Sequence, residues 1–321
     1  MRAVRVEAHG GPEVLVAADV GDPEPGAGEV LVALAAVGVN YIDTYMRSGL
    51  YSTPLPLVPG VEGAGTVRAV GSGVDSVAVG DRVAFSDAVG SYAELIVVPA
   101  EKLVAVPPGT DLETAATVLL QGMTAHYLVH DTHPVAPGDA VLVHAGAGGM
   151  GLLLCQMARA AGATVIATTS SEEKDALARE AGAHETLRYG SDLADRVRAL
   201  TGGEGVAVVY DGVGASTFDA SLASLRVRGV LALYGAASGP VPPVDPQRLN
   251  SGGSLYLTRP SLHWHVRTPA ELSARADAVF SAVAAGDLRV RVGGRYALDD
   301  AASAHRDLES RRTTGKLLLL P

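Results

Sequence analysis

At 321 residues, 48% of them hydrophobic and 19% charged, the chain is long enough for two domains and apolar enough to bury large cores, which excludes disorder as its default state. The net charge of −10 disfavours nucleic acid or an anionic membrane surface as a main partner, and no apolar run approaches the roughly 20 residues of a spanning helix. Cys155 is the single cysteine, so neither an intramolecular disulfide nor a cysteine-built zinc site is possible.

The first 110 residues read as β-rich. Short runs at Val14–Val16, Glu29–Val39, Gly65–Val70, Arg82–Phe85 and Tyr92–Val98 are separated by turns such as Gly10-Gly11-Pro12, Pro59-Gly60 and Gly80-Asp81. Their close spacing suggests a barrel-like antiparallel domain. Asp111–Leu128 reads as a helix broken at Gly122. From there strands and helices alternate: Ala140–His144, Met150–Ala161, Thr164–Thr168, Glu172–Ala181, Leu193–Thr201, Val206–Tyr210, Phe218–Leu225 and Val230–Tyr234. Such alternation predicts a parallel sheet covered on both faces by helices. A β-prone run at Ser254–Thr258 ends the series. A helix over 270–285 and a strand at Leu317–Leu320 are expected to return to the first domain.

Gly146-Ala147-Gly148-Gly149-Met150-Gly151 fits G-x-G-x-x-G, follows an apolar strand and opens a helix. In that context the glycines let backbone approach a pyrophosphate, and the helix N-terminus supplies N–H donors. A carboxylate about 20 residues on would select NAD through the ribose 2′-OH. Here the next strand ends Thr168-Thr169-Ser170-Ser171, and Lys174 follows. Hydroxyls and a cation suit a 2′-phosphate, although Glu172 and Glu173 stand close by, and a helix lysine is ordinarily just solvated. The chain has only three lysines (Lys102, Lys174, Lys316) against 22 arginines, which gives Lys174 added weight and favours NADPH.

These motifs carry a resemblance. The sequence resembles zinc-independent medium-chain dehydrogenases/reductases, namely the NADPH:quinone oxidoreductases of the zeta-crystallin type. It does so through Gly10–Leu15, Gly38–Tyr45, Arg47–Tyr51, Gly80–Val83, the glycine turn, Val209–Gly214, Gly253–Leu262 and Leu308–Arg311. The resemblance implies an α/β protein: a GroES-like β-barrel catalytic domain, 1–121 and 262–321, around a Rossmann doubly wound parallel-sheet domain, 122–261. It implies NADPH in an interdomain cleft, a small quinone or enone as substrate, a homodimer and a cytoplasmic location. Carried over position by position, Asn40, Tyr41, Ile42, Asp43, Thr44 and Tyr45 contact the nicotinamide end. Tyr127, Gly146, Gly148, Gly149 and Met150 contact the ribose and pyrophosphate. Ser170, Lys174, Tyr189 and Arg311 resemble a cage for the 2′-phosphate. Val213, Ala237, Ser238 and Gly239, and the loop His263-Trp264-His265, fall on the cofactor side. Asn40, Tyr45 and Tyr51 are the candidate catalytic residues.

Zinc alcohol dehydrogenases of the same superfamily have a Cys ligand where this chain has Asn40 and a Gly-His-Glu run where it has Gly60-Val61-Glu62. Glu62 alone cannot build a three-ligand site, so no metal is expected, and alcohol oxidation gives way to an acceptor that needs no Lewis acid. His126 and His130, at i and i+4, lack an evident third ligand. Cys155 reads as a small buried hydrophobe. Two alternatives stay open: an enoyl or alkenal double-bond reductase, and a non-catalytic NADPH-binding sensor or interaction protein.

Overall fold

The computed structural model describes all residues, Met1–Pro321. The chain divides into two compact units, Met1–Met123 with Val266–Pro321, and Thr124–His265.

In the first unit the strands are β1 (Arg2–Arg5), β2 (Val16–Asp19), β3 (Glu29–Val39), β4 (Gly63–Val70), β5 (Arg82–Phe85), β6 (Leu95–Pro99) and β7 (Val104–Ala105), with helix α1 (Tyr41–Ser48) between β3 and β4. Helix α2 (Leu112–Tyr127) leads out of the unit. The last segment contributes α8 (Pro269–Ala285), β14 (Val292–Ala297), α9 (Ala301–Glu309) and β15 (Lys316–Leu320). A seven-stranded sheet runs β14-β15-β3-β4-β5-β7, with β6 also on β3, and β1 and β2 form a separate antiparallel ribbon. β3 is its axis. Val30, Val32 and Leu34 point inward with the two-residue period of a half-covered strand. A bulge between Leu34 and Ala36 ends that alternation, and Ala36–Val39 is buried throughout. Phe85, Tyr92, Leu317 and Leu319 close the core.

α1 was not evident in the sequence, because Tyr41, Ile42, Thr44 and Tyr45 favour strands. Asp43 decides it locally: its carboxylate accepts the Asn40 N–H (2.8 Å) across the first turn. The expected break at Gly122 does not occur, and α2 continues through it. A Cβ there would sit 2.7 Å from Val279 Cγ1 of α8, so this glycine serves helix approach rather than helix termination.

In the second unit β8 (Ala140–Val143), β9 (Thr164–Thr169), β10 (Glu185–Arg188), β11 (Val206–Asp211), β12 (Leu225–Leu233) and β13 (Tyr256–Thr258) form a six-stranded sheet in the order β10-β9-β8-β11-β12-β13. Every adjacent pair is parallel. Helices α3 (Gly149–Ala160), α4 (Glu172–Glu180), α5 (Leu193–Leu200), α6 (Phe218–Ser224) and α7 (Gln247–Ser251) supply the connections. Chain order reverses between β8 and β11, which opens a crevice at the carboxyl ends of the strands. Leu142, Ile166, Val209 and Leu231 lie in the core. Cys155 is buried on α3, and burial pushes its thiol up to about 12, so it is a packing residue. No helix is long and apolar enough to cross a membrane.

Candidate cofactor and substrate site

In the nucleotide unit the predicted residues collect beyond the carboxyl ends of the parallel strands. Gly146–Met150 follow β8, Ser170 and Lys174 follow β9, Tyr189 follows β10, Val213 follows β11, Ala237–Gly239 follow β12, and His263–His265 follow β13. Tyr127 stands at the end of α2 and stacks on His265, with ring centroids 4.0 Å apart and planes 2° apart. A single π-helical turn, Leu128–Thr132, follows it and places His130 against His126 at 4.5 Å between rings. No group of three or more His, Cys, Asp or Glu side chains is placed to share a metal ion.

The glycine turn is a cradle in the literal sense. A Cβ on Gly146 would lie 2.7 Å from Ala167 Cβ, and one on Gly151 would lie 2.2 Å from Ala145 O. α3 begins at Gly148 with no side chain capping it, which leaves its first N–H groups to an outside acceptor. Ala145 holds a positive φ of 52°. Its N–H is fixed by Thr168 Oγ1 (3.1 Å) and Tyr189 Oη (3.0 Å).

Beneath this turn lies a buried network with no local sequence signal. Ser221 donates to Asp211 Oδ2 (2.7 Å), so its oxygen accepts from His144 Nε2 (2.9 Å). His144 Nδ1 therefore accepts from Thr168 Oγ1 (3.0 Å). Burial pushes the His144 pKa down, which agrees with a neutral ring in this role. Asp211 also accepts the N–H groups of Val213 and Gly214, so one carboxylate ties the β11 loop to the glycine turn.

At the β9 tip, Asp175 is the carboxylate nearest in sequence to Lys174 on its C-terminal side. Arg188 grips it in a bidentate pair (2.6 and 2.6 Å) and holds its pKa down at about 2. That acidic charge is already matched, while Glu172 and Glu173 are exposed. Together, an uncapped helix N-terminus, hydroxyls and a lysine at the strand tip fit a dinucleotide carrying a 2′-phosphate. Arg311 belongs to the other unit, exposed just beyond α9 with φ 58°.

In the first unit Asn40–Tyr45 form the head of α1. Tyr45 is buried and lies 5.3 Å from the Tyr51 ring, which is 40% exposed, and 6.3 Å from the Tyr41 ring. Asp43 is wholly buried. Arg47 can only donate, so His305 Nδ1 accepts from it (3.0 Å). His305 Nε2–H then donates to Tyr92 Oη (2.8 Å), and Tyr92 donates to Asp43 Oδ2 (3.0 Å). Glu309 closes the far end on Arg47 at 2.7 and 3.2 Å. Burial pushes Asp43 up to about 7, against the pull of the Asn40 N–H and Lys316. Burial, with Arg47 beside it, pushes His305 down to about 3.

Two family models match: an alcohol dehydrogenase GroES-like domain over residues 26–108, and a zinc-binding dehydrogenase over residues 149–261. A quinone oxidoreductase of Pseudomonas aeruginosa is 48% identical, with 100% of this chain and 99% of that protein covered. The chain belongs to the quinone oxidoreductase family of the medium-chain dehydrogenases/reductases. The structure of a mycobacterial protein complexed with NADPH is 55% identical over all of both chains, with a TM-score of 0.98. A 2-haloacrylate reductase of Burkholderia sp is 44% identical over 99% of this chain and 98% of that protein. For a quinone oxidoreductase the GroES-like and Rossmann-type architecture is the expected one, and the resemblance read from the motifs names the right family.

Three residues with no expected role in cofactor or substrate binding surround Asn40: Glu62, Gln121 and Lys316. Glu62 was weighed only as a metal ligand, and Gln121 and Lys316 were given no role. Their only sequence signal was the rarity of lysine.

Proposed function

We propose that the protein reduces quinones or activated enones with NADPH, without a metal, in the cytoplasm and as a homodimer. The observation that carries the reading is the β9 tip. Ser170 and Lys174 stand at this tip, where the carboxylate of Asp175 is already taken up by Arg188 and Thr169, beside a helix N-terminus left open to a phosphate. The likeness to a mycobacterial protein complexed with NADPH supports it.

When bound, NADPH supplies the hydride. The chain's residues place and shield it. Gly146, Gly148, Gly149 and Met150 receive the pyrophosphate on backbone N–H groups. Ser170, Lys174 and Tyr189 hold the 2′-phosphate, and Tyr127, Val213, Ala237–Gly239 and His263–His265 line the cofactor. Ile42, Thr44 and their neighbours on the head of α1 face the nicotinamide. Tyr45 and Tyr51 wall the acceptor, and a tyrosine hydroxyl steadies the oxygen that gains charge. Water delivers the proton, since Asp43, whose pKa is raised to about 7, is wholly buried and bonded to the Asn40 N–H and Tyr92 Oη.

A metal-free reaction agrees with the occupants of the site. Glu62, the one ligand-type side chain in the Gly60-Val61-Glu62 run, is already paired with Lys316 at 2.5 Å. The homodimer is supported by β13, the outer strand of its sheet, where Tyr256 is 60% exposed. The 2-haloacrylate reductase among the relatives extends the acceptor class to activated double bonds.

The test is NADPH consumption with 1,4-benzoquinone and with small enones, each with and without a chelator. Turnover insensitive to the chelator is expected. No turnover with either acceptor class would sink the proposal, and tight NADPH binding without turnover would point to a sensor.

A further inference from the structure

The ends of three strands and one helix meet in a closed polar cluster. β15 pairs with β3 so that Leu317 faces Val39, which brings Lys316 beside Asn40, the residue after β3. β4 pairs with β3 through Gly63 and Val37, which brings Glu62, the residue before β4, to the same place. α2 supplies Leu120 and Gln121. Within the cluster Lys316 Nζ donates to Glu62 Oε2 and to Asn40 Oδ1, both at 2.5 Å. Asn40 Nδ2 donates to Glu62 Oε2 (2.9 Å) and to Gly38 O (3.2 Å). Gln121 Nε2 donates to Asn40 Oδ1 (3.4 Å), and the Leu120 N–H donates to Glu62 Oε1 (2.7 Å).

Two consequences follow. Asn40 has its full capacity of two donated and two accepted hydrogen bonds inside the protein, so its amide has nothing left to offer a substrate, which corrects the expectation that Asn40 is itself catalytic. Its orientation is also fixed: the end facing Lys316 must be oxygen, and the end facing Glu62 must be nitrogen. Gln121 inherits that orientation, because only its NH₂ can face Asn40 Oδ1. Gln121 Oε1 is then left buried with no partner. A buried acceptor without a protein partner is one that a ligand or a water molecule would satisfy.

The cluster has no spare volume. Glu62 and Lys316 are 0% and 2% exposed, and a Cβ at Gly38 would lie 2.3 Å from Glu62 Oε2 and 2.8 Å from Lys316 Cε. The pair therefore cannot shift without moving the end of β3, from which α1 starts.

We propose that Lys316, with Glu62 as its counter-charge, is a positioning residue for the reaction: it fixes the Asn40 amide at the head of α1 and, through it, the Gln121 carboxamide. This deepens the proposed quinone reduction and rests on it. Lys316 touches neither acceptor nor cofactor in this role; it acts through Asn40.

The experiment uses the full-length protein in four forms: wild type, Lys316→Met, Glu62→Gln, and the double variant. The wild-type assay comes first, and its failure overturns the functional reading rather than this proposal. NADPH affinity by fluorescence titration and the thermal midpoint are measured beside kcat. Lys316→Met leaves Glu62 buried without a counter-charge and is expected to lose thermal stability. The double variant carries no unpaired charge and is expected to recover the midpoint. Its kcat is expected to stay about tenfold or more below wild type, because Asn40 Oδ1 has lost its strongest donor and misplacement near a reacting centre is costly. NADPH affinity is expected to change less than about threefold, as the phosphate cradle lies elsewhere. Recovery of kcat together with the midpoint in the double variant would show a structural role only and overturn the proposal.

Discussion

Gly148 and Gly151 of the G-x-G-x-x-G turn do different jobs, and the structure says how to separate them. Gly151 packs against its own turn: a Cβ would be 2.2 Å from Ala145 O and 2.7 Å from Gly146 Cα, both backbone atoms that cannot rotate away. Gly148 is different. Its backbone is extended at φ −75° and ψ 170°, and a Cβ would meet only Ala145 O at 3.2 Å. Gly151→Ala forces extra volume into a packed turn, which costs about 1–3 kcal/mol, or about 3–10 °C for a unit of this size. Gly148→Ala loses only a helix-cap preference, about 1 kcal/mol or less. Its methyl, however, stands where backbone must approach the pyrophosphate, so KM for NADPH should rise about tenfold, equivalent to about 1.4 kcal/mol. Thermal melts of both variants, paired with NADPH titrations, test this. The reasoning fails if Gly148→Ala melts as early as Gly151→Ala, or if its NADPH KM stays at the wild-type value.

Two further predictions concern charge. Lys174→Ala removes one charge-assisted hydrogen bond to the 2′-phosphate, worth about 1.5–3 kcal/mol, so KM for NADPH should rise roughly tenfold to hundredfold while KM for NADH barely moves; equal effects on both would end the 2′-phosphate role. The second concerns Asp43 and His305, whose pKa values move to about 7 and about 3. Between pH 4 and 6.5 folded Asp43 keeps a proton that the unfolded chain gives up, so its contribution to stability falls as pH rises. Over the same range folded His305 stays neutral while the unfolded ring takes a proton, so its contribution falls as pH drops. The two slopes oppose each other at about 1.4 kcal/mol per pH unit each. His305→Gln removes one of them while keeping an acceptor and a donor. Urea unfolding at three acidic pH values should therefore show variant stability climbing relative to wild type as pH falls, and parallel curves would refute the assignment.

Much of the fold could be read because its signals are local. Apolar runs such as Ala140–Val143 and Val206–Tyr210 are short, buried on both faces and separated by helices, which only a parallel sheet explains. The glycine turn was legible for the same reason: strand, turn and helix lie within a few residues. α1 was not, since the bond that settles it is a single carboxylate contact among strand-favouring residues. β10 was missed because Glu185–Arg188 alternates weakly and gains its place only by pairing with β9. Gly122 was read by propensity as a break, but its partner Val279 lies far along the chain, on α8.

The cluster around Asn40 lies at the far end of that scale. Asn40 and Glu62 are 22 residues apart, but Lys316 is 276 residues from Asn40 and 254 from Glu62, so no local window of sequence holds the lysine with either partner. The rarity of lysine marked Lys174 and Lys316 alike, and could not say which was solvated and which was buried; the register of β15 on β3 decides that. Stability alone does not account for the pair. A buried ion pair commonly gives no more than a well-packed apolar pair of the same volume. What an apolar pair cannot do is tell the oxygen of an amide from its nitrogen. Lys316 and Glu62 make that distinction at Asn40, one supplying only donors and the other only acceptors, and the orientation passes to Gln121 by a single hydrogen bond.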